Sequence, residues 1–167
     1  YLPTKKVVVE ETSLWRLFTQ GWYNSDPEKV DYMLYTLAWK ANWPFLKTQR
    51  ANYLRSETQG NGKSTFFEFL KKLFGRKSVI FLLNLGRMHC RFNSWQSGCL
   101  WLCTDDIRGA TKKQIQDCKS RITSTRYPYE IKNGKTMEQN NYEEYWFTTN
   151  AMKDLFVEPG DRRGNFW

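Results

Sequence analysis

The sequence holds a single histidine, His89, and four cysteines, Cys90, Cys99, Cys103 and Cys118, none in a CxxC pair. Zinc sites are built from Cys and His ligands at short paired spacings, and that spacing is missing. Cys99 and Cys103 lie inside an apolar run, where a thiol behaves as a small hydrophobe, and unpaired thiols fit a reducing compartment. No run of about 18 apolar residues occurs, so no membrane-spanning helix is expected. There is no internal repeat and no low-complexity tract, which excludes a solenoid and a compositionally biased, disordered chain.

Acidic residues are short relative to basic ones, 17 against 26, for a net charge of +9. That balance favours a polyanionic partner, nucleic acid before an anionic membrane, although a merely solvated basic surface gives the same count. What is abundant is apolar and aromatic: 40% of the 167 residues are hydrophobic and 17% are aromatic. Such a chain buries a real core and makes one domain, or one domain with a short appendage. It starts at Tyr1 and stops at Trp167 soon after a DRR triplet, and is expected to be a piece of a longer protein.

Residues 5–45 read as helical. Val30, Met33, Leu34, Leu37 and Ala38 recur with helical spacing and define an expected buried face. Asp26 is placed to cap that helix, Pro27 suits its first position, and Trp43-Pro44 breaks it. Leu14, Trp15, Leu17, Phe18 and Trp22 mark an earlier helix, whose tryptophans fit core packing better than base stacking. Beyond residue 50 short apolar runs alternate with helical patterns. Tyr53-Leu54, Val79 to Leu83, residues 99–103 and residues 145–149 read as strands. Phe66, Phe69, Leu70, Leu73 and Phe74, ended by Gly75, read as a helix, as do Ile115, Cys118 and Ile122. Alternation of this kind predicts an α/β fold with a mostly parallel central sheet, whose ligands sit at the carboxyl ends of the strands.

Four stretches carry chemistry. QGNGKST, residues 59–65, follows the first strand. Gly60 and Gly62 let backbone N–H groups approach a phosphate, Lys63 can reach the β and γ phosphates of a nucleotide, and the Ser64 hydroxyl can ligate Mg²⁺. The full pattern begins with a glycine where this chain has Glu57, and a plain strand–turn–helix connection would also contain small residues. CLWLCTDD, residues 99–106, is an apolar strand ending in two acids: Asp105 is placed to hold the metal and Asp106 to deprotonate an attacking water. A helix-capping Asp pair would look the same. YWFTTN, residues 145–150, ends a strand in Asn150, whose amide can orient that water. GDRRGNF, residues 160–166, offers Arg162 and Arg163 for charge developing on a transferred phosphoryl group, supplied by an adjacent subunit. Between the second and third of these, Tyr127 to Tyr142 reads as a hairpin closed by a two-residue Asn133-Gly134 turn. Lys132 and Lys135 at its tip suit a nucleic-acid backbone, with Lys119, Arg121 and Arg126 upstream.

In this order the stretches QGNGKSTFFEFLKKLFG, RFNSWQSGCLWLCTDDI, and YEEYWFTTN followed by DRR resemble the superfamily 3 helicases, AAA+ motors of viruses, phages and plasmids. The likeness is closest to the phage and poxvirus-type primase-helicase branch, of which RFNS is a particular mark. The resemblance implies a P-loop NTPase three-layer sandwich, with a collar-like helical segment over residues 1–48 and an ATPase core over 49–167, truncated at its C-terminal side. It implies ATP and Mg²⁺ as cofactors. Gly60, Asn61, Gly62, Lys63, Ser64 and Thr65 would then bind nucleotide, with Ser64 and Asp105 at the metal. Asp106, Asn150 and Arg162 or Arg163 would serve catalysis, and Lys132 and Lys135 would track the nucleic acid. Asp106 stands where this branch often has Glu. The implied partners are single-stranded or forked DNA, further copies in a hexameric ring, and a primase or polymerase domain in the same chain, with no membrane. The implied place is the cytoplasm of a bacterial host or the compartment where viral replication occurs. An RNA-directed helicase of the same superfamily, a small-molecule P-loop kinase and a nonhydrolysing nucleic-acid-binding module are the other readings.

Overall fold

The computed structural model describes residues 13–22, 26–55, 62–104, 107, 109–149 and 163–166. The described residues open with a helical turn, α1 (Ser13–Arg16), continuing as a π-helical stretch over Leu17–Trp22. Helix α2 spans Pro27–Asn42. Asp26 caps it, its carboxylate accepting from the backbone N–H of Glu28 at 3.1 Å and Lys29 at 3.4 Å. Pro27 costs the helix nothing at its first position, where no intrahelical N–H bond is made. Asn42 ends it because Trp43 precedes a proline, and the proline ring disfavours helical backbone one residue back.

The buried face of α2 differs from the expected one. Val30, Met33 and Leu37 are buried, but Leu34 is 37% exposed and Ala38 faces solvent, while Thr36 and Lys40 are buried in their place. The stripe is rotated because Lys40 has an ionic partner inside the protein, which an apolar-only reading cannot supply.

Strand β1 (Ala51–Arg55) is followed by helix α3 (Lys63–Phe74), then β2 (Val79–Leu82). Two short 3₁₀ helices, Leu85–His89 and Ser94–Gln96, lead into β3 (Trp101–Thr104). Helix α4 (Lys112–Thr123) follows, opened by a reciprocal capping box between Thr111 and Gln114. The hairpin strands β4 (Arg126–Glu130) and β5 (Thr136–Asn140) come next, then β6 (Glu144–Thr149) and β7 (Gly164–Phe166).

The protein is α/β. Five strands make one parallel sheet in the order β2-β3-β6-β1-β7, and β4-β5 stand apart as a two-stranded antiparallel ribbon. Successive residues of the central strands point to opposite faces. Trp101, Cys103, Trp146 and Leu54 therefore join Phe66, Phe67 and Leu70 of α3 and Met33 and Leu37 of α2 in one core. Leu102, Tyr145, Phe147 and Tyr53 join Cys118 and Ile122 of α4 and Leu85 and Met88 in the other. β3 and β6 are covered on both faces, and each carries an unbroken apolar run, Trp101 to Cys103 and Tyr145 to Phe147, as a buried parallel strand does. Cys99, Cys103 and Cys118 are buried in these cores, and burial pushes the Cys118 thiol up to about 12. No helix among the described residues is long and apolar enough to cross a membrane.

The hairpin turn is also placed differently from the expectation. Glu130 pairs with Thr136, leaving the five residues 131–135 as the loop. The closing hydrogen bond runs from the Gly134 N–H to the Ile131 carbonyl at 2.9 Å, so Lys132 and Asn133 form the corner. Asn133 has φ 63°, the left-handed conformation that asparagine tolerates at the third position of such a turn, whereas Gly134 does not have positive φ.

Candidate functional site

Because the five strands run the same way, their carboxyl ends share one edge. There Arg55 of β1 pairs with Thr149 of β6, and Thr104, the last residue of β3, pairs with Phe147 of β6. The Thr148 hydroxyl donates to the Thr104 carbonyl at 3.4 Å. With strands about 4.8 Å apart, β1 and β3 are separated by roughly 10 Å across the intervening β6.

Helix α3 begins at the same edge. Its last residue, Phe74, packs on Trp101 at the amino end of β3, ring centroids 5.0 Å apart, and Gly75–Ser78 connect it directly to the amino end of β2. A helix of 12 residues is about 18 Å long, so its first turn lies over the opposite, carboxyl edge. Gly62 caps it with φ 85°, a conformation strained for any residue with a Cβ, and has no side chain between the helix end and a ligand. Lys63 is half-buried there, and Ser64 and Thr65 are exposed.

The structure thus brings to one edge the residue before Asp105-Asp106, the residue before Asn150, and the helix that starts with Lys63, Ser64 and Thr65. Gly60, Asn61, Asp105, Asp106, Asn150 and Arg162 themselves lie outside the described residues, as does Glu57. A nucleotide and its metal fit what is described. An ammonium, two hydroxyls and the positive end of a helix are complementary to a polyphosphate with a hard divalent cation. The buried Thr104 hydroxyl, beside the expected metal-holding acid, has no hydrogen-bond partner among the described residues. Lys63, Ser64 and Thr65 are the described residues that could hold such a group.

Arg163 lies at the other edge. Its carbonyl accepts from the Ala51 N–H at 2.7 Å, and Gly164 pairs with Ala51, the first residue of β1. The length of β1, about 13 Å, separates it from the start of α3. It does not join the residues of its own carboxyl edge.

Lys132 and Lys135 are exposed on the hairpin loop. The basic residues upstream are placed otherwise. Arg126 is exposed and pairs with Glu138 across the hairpin at 3.0 Å. Lys119 is 8% exposed, and Arg121 reaches inward to Glu143 at 3.6 Å, so Arg121 does not present its charge to a polyanion.

That inward turn belongs to a polar cluster under the amino end of β6 which the sequence reading missed. Lys40 and Glu144, both fully buried, stand 3.6 Å apart. Glu144 also accepts from the Thr48 N–H at 2.8 Å, and the Lys40 ammonium donates to the Leu46 carbonyl at 2.6 Å and to that of Tyr142. Beside them Tyr145 donates to Glu143 at 2.5 Å, and Lys47 donates to the carbonyls of Arg121 at 3.2 Å and Ser124 at 3.1 Å. Burial pulls Lys40 down and pushes Glu144 up, against their mutual attraction. Burial likewise lowers Lys47 to about 8, opposed by Glu143 and Glu144, and raises Glu143 against the pull of Arg121. The signal was the EE pair entering an apolar strand at 143–144, and a lysine three residues after Leu37 on the buried stripe.

No curated protein matches the chain. Solved structures share its fold. The apo structure of the NrS-1 C terminal region (305-718) superposes with a TM-score of 0.80 at 18% identity, over 97% of this chain and 41% of that one. The A form apo structure of the same region gives 0.76 at 19% identity, over 98% and 38%. The chain thus spans only about two fifths of the length of those structures. The family model described as Family of unknown function (DUF5906) matches residues 54–163, from within β1 to the residue before β7, and the chain belongs to that family.

Proposed function

We propose that this domain is the ATP-driven motor of a superfamily 3 type helicase, a P-loop NTPase of the AAA+ kind within a longer replication protein of a virus, phage or mobile element. The observation that carries the reading is the strand order. By placing β6 between β1 and β3, it gathers the start of α3 and the carboxyl ends of β3 and β6 at a single edge. Ligands of open parallel sheets bind at that edge, where connections to the two sides diverge, and from β1 the chain crosses to β2 on one side while β7 lies on the other. The fold shared with the NrS-1 C terminal region is consistent with a part of a larger assembly.

In this reading bound MgATP supplies the phosphoryl group whose transfer to water drives the motor. Lys63 holds the phosphate oxygens and the first-turn N–H groups of α3 face them. Ser64 and Asp105 hold the metal. Asp106 takes the proton from the attacking water, which Asn150 orients. Arg163, a strand's length from its own edge, serves a neighbouring copy instead, with Arg162 the alternative, so turnover requires assembly into a ring. Lys132 and Lys135 neutralise backbone phosphates of the tracked strand without reading its sequence.

The test is ATP turnover by the full-length protein with Mg²⁺, with and without single-stranded DNA, and DNA affinity across a salt series. The motor predicts turnover that rises with DNA. The double variant Lys132→Ala/Lys135→Ala is expected to bind DNA more weakly, with its log–log salt slope flatter by about 1.4, two phosphate contacts at roughly 0.7 each. Absence of turnover under both conditions would turn the reading to a nonhydrolysing binding module. Turnover indifferent to DNA and to RNA would turn it to a small-molecule kinase, and a response to RNA alone to an RNA motor.

A further inference from the structure

The RFNS stretch has no part in the proposed chemistry, yet it is built into the fold as a socket for the hairpin. Asn93 is 5% exposed and bonds to β4 three times. Its Nδ2 donates to the Pro128 carbonyl at 2.7 Å, its Oδ1 accepts from the Glu130 N–H at 2.8 Å, and its backbone N–H donates to the Glu130 carbonyl at 3.2 Å. The side chain thus does the work of a neighbouring strand along an otherwise open edge, and Pro128 stands where an edge strand tolerates a residue without N–H. A two-stranded ribbon is marginal alone and takes its position from such anchors. Tyr127 adds one, its hydroxyl donating to the Gln96 carbonyl at 3.3 Å, and the Arg121 guanidinium lies 4.3 Å over the Tyr127 ring.

Both legs of the ribbon are tied to strands that end at the candidate nucleotide edge. On the β4 side, Gln96 accepts from the Cys99 N–H at 3.0 Å, two residues before β3 begins. On the β5 side, the Asn141 N–H donates to the Thr125 carbonyl at 2.8 Å, and Asn141 Oδ1 accepts from Glu143, the residue before β6, at 3.2 Å. β3 precedes Asp105-Asp106 and β6 precedes Asn150.

We propose that Asn93 is the positioning residue of the lysine-tipped hairpin, locking it to the lead-in segment of β3 while Asn141 ties its other leg to that of β6, so that nucleotide at the carboxyl edge and nucleic acid at the hairpin bias one shared arrangement. The coupling rests on the motor reading; the clamp does not. Coupling of this kind is reciprocal, and its measure is the ratio of DNA affinities with and without nucleotide. A residue with only a supporting role would weaken DNA binding equally in both conditions and leave that ratio unchanged.

The experiment compares the full-length protein with its Asn93→Ala and Arg91→Ala variants. Amide exchange at Glu130 and across residues 126–140 reads the clamp. DNA affinity with and without a nonhydrolysable ATP analogue reads the coupling. In Asn93→Ala, two lost side-chain hydrogen bonds raise exchange at Glu130 by roughly thirtyfold, and the affinity ratio falls towards one. Arg91→Ala removes the exposed pair with Glu130, 2.9 Å long with Arg91 77% exposed, and a cation–π contact with the neighbouring Phe92 ring at 5.5 Å, touches none of the Asn93 bonds, and leaves both readouts near wild type. Unchanged exchange at Glu130 in Asn93→Ala overturns the clamp. Raised exchange with an unchanged ratio overturns the coupling, as does a wild-type ratio of one in a protein that turns over ATP. A wild-type protein without turnover instead defeats the motor reading, and exchange still judges the clamp.

Discussion

Replacing Lys63 with alanine is expected to lower ATP turnover by the full-length protein about a thousandfold while leaving the fold intact. Lys63 is the first residue of α3, half-buried at the carboxyl edge, and its side chain is not part of either core. Removing it costs the helix little, since alanine is the better helix former. The loss falls on phosphate binding and on charge that grows during transfer, where removing one preorganised donor costs about 10²–10³ in rate. Lys63→Arg keeps the charge, but its planar fork does not reproduce a compact ammonium, and most of the loss remains. The check is steady-state turnover together with a thermal melt. Near-normal turnover in Lys63→Ala would place the chemistry elsewhere.

The largest effect on stability is expected from Glu144→Ala. Glu144 and Lys40 are both fully buried, and Glu144 also receives the Thr48 N–H. Truncating it leaves a buried ammonium without its counter-charge and a backbone donor without its acceptor. Breaking a buried pair from one side costs about 3–5 kcal/mol. In a chain of this size that lowers the melting temperature by roughly 10 °C. Lys40→Met/Glu144→Leu removes both charges and is expected to recover half or more of the loss, because a buried pair repays little more than its own desolvation. Denaturant unfolding of the two variants decides it. A cost below about 1 kcal/mol for Glu144→Ala would mean that water reaches Lys40. Lys40 and Thr48 flank the connection from α2 into β1, and Glu144 opens β6, so this pair ties α2 to the sheet.

Much of this arrangement was legible from the chain. β3 and β6 announce themselves because strands covered on both faces must be continuously apolar, and Trp101 to Cys103 and Tyr145 to Phe147 are. The Asp26-Pro27 start of α2 and the Gly75 end of α3 were readable because caps are local chemistry. What sequence could not give depends on partners far along the chain. Lys40 is buried only because Glu144 and the carbonyl of Tyr142, 102 positions on, are there to receive it. Arg121 reads as one of several basic residues before a hairpin, and only the fold turns it inward to Glu143. The turn at residues 131–134 shifted by one because Asn-Gly fits several turns, and the register of β4 on β5, not the dipeptide, selects among them. At the candidate site, the order of motifs was written in the sequence, whereas the meeting of the start of α3 with the carboxyl ends of β3 and β6 at one edge follows from β6 inserting between β1 and β3.

The most direct measurement is a crystal structure of the full-length protein with Mg²⁺ and a nonhydrolysable ATP analogue. The account predicts the Lys63 ammonium within hydrogen-bonding distance of the β and γ phosphates, Ser64 on the metal, and Asp105 and Asp106 facing the same ion from the end of β3. A nucleotide bound elsewhere, or those two carboxylates turned away from a triphosphate held by Lys63, would contradict it.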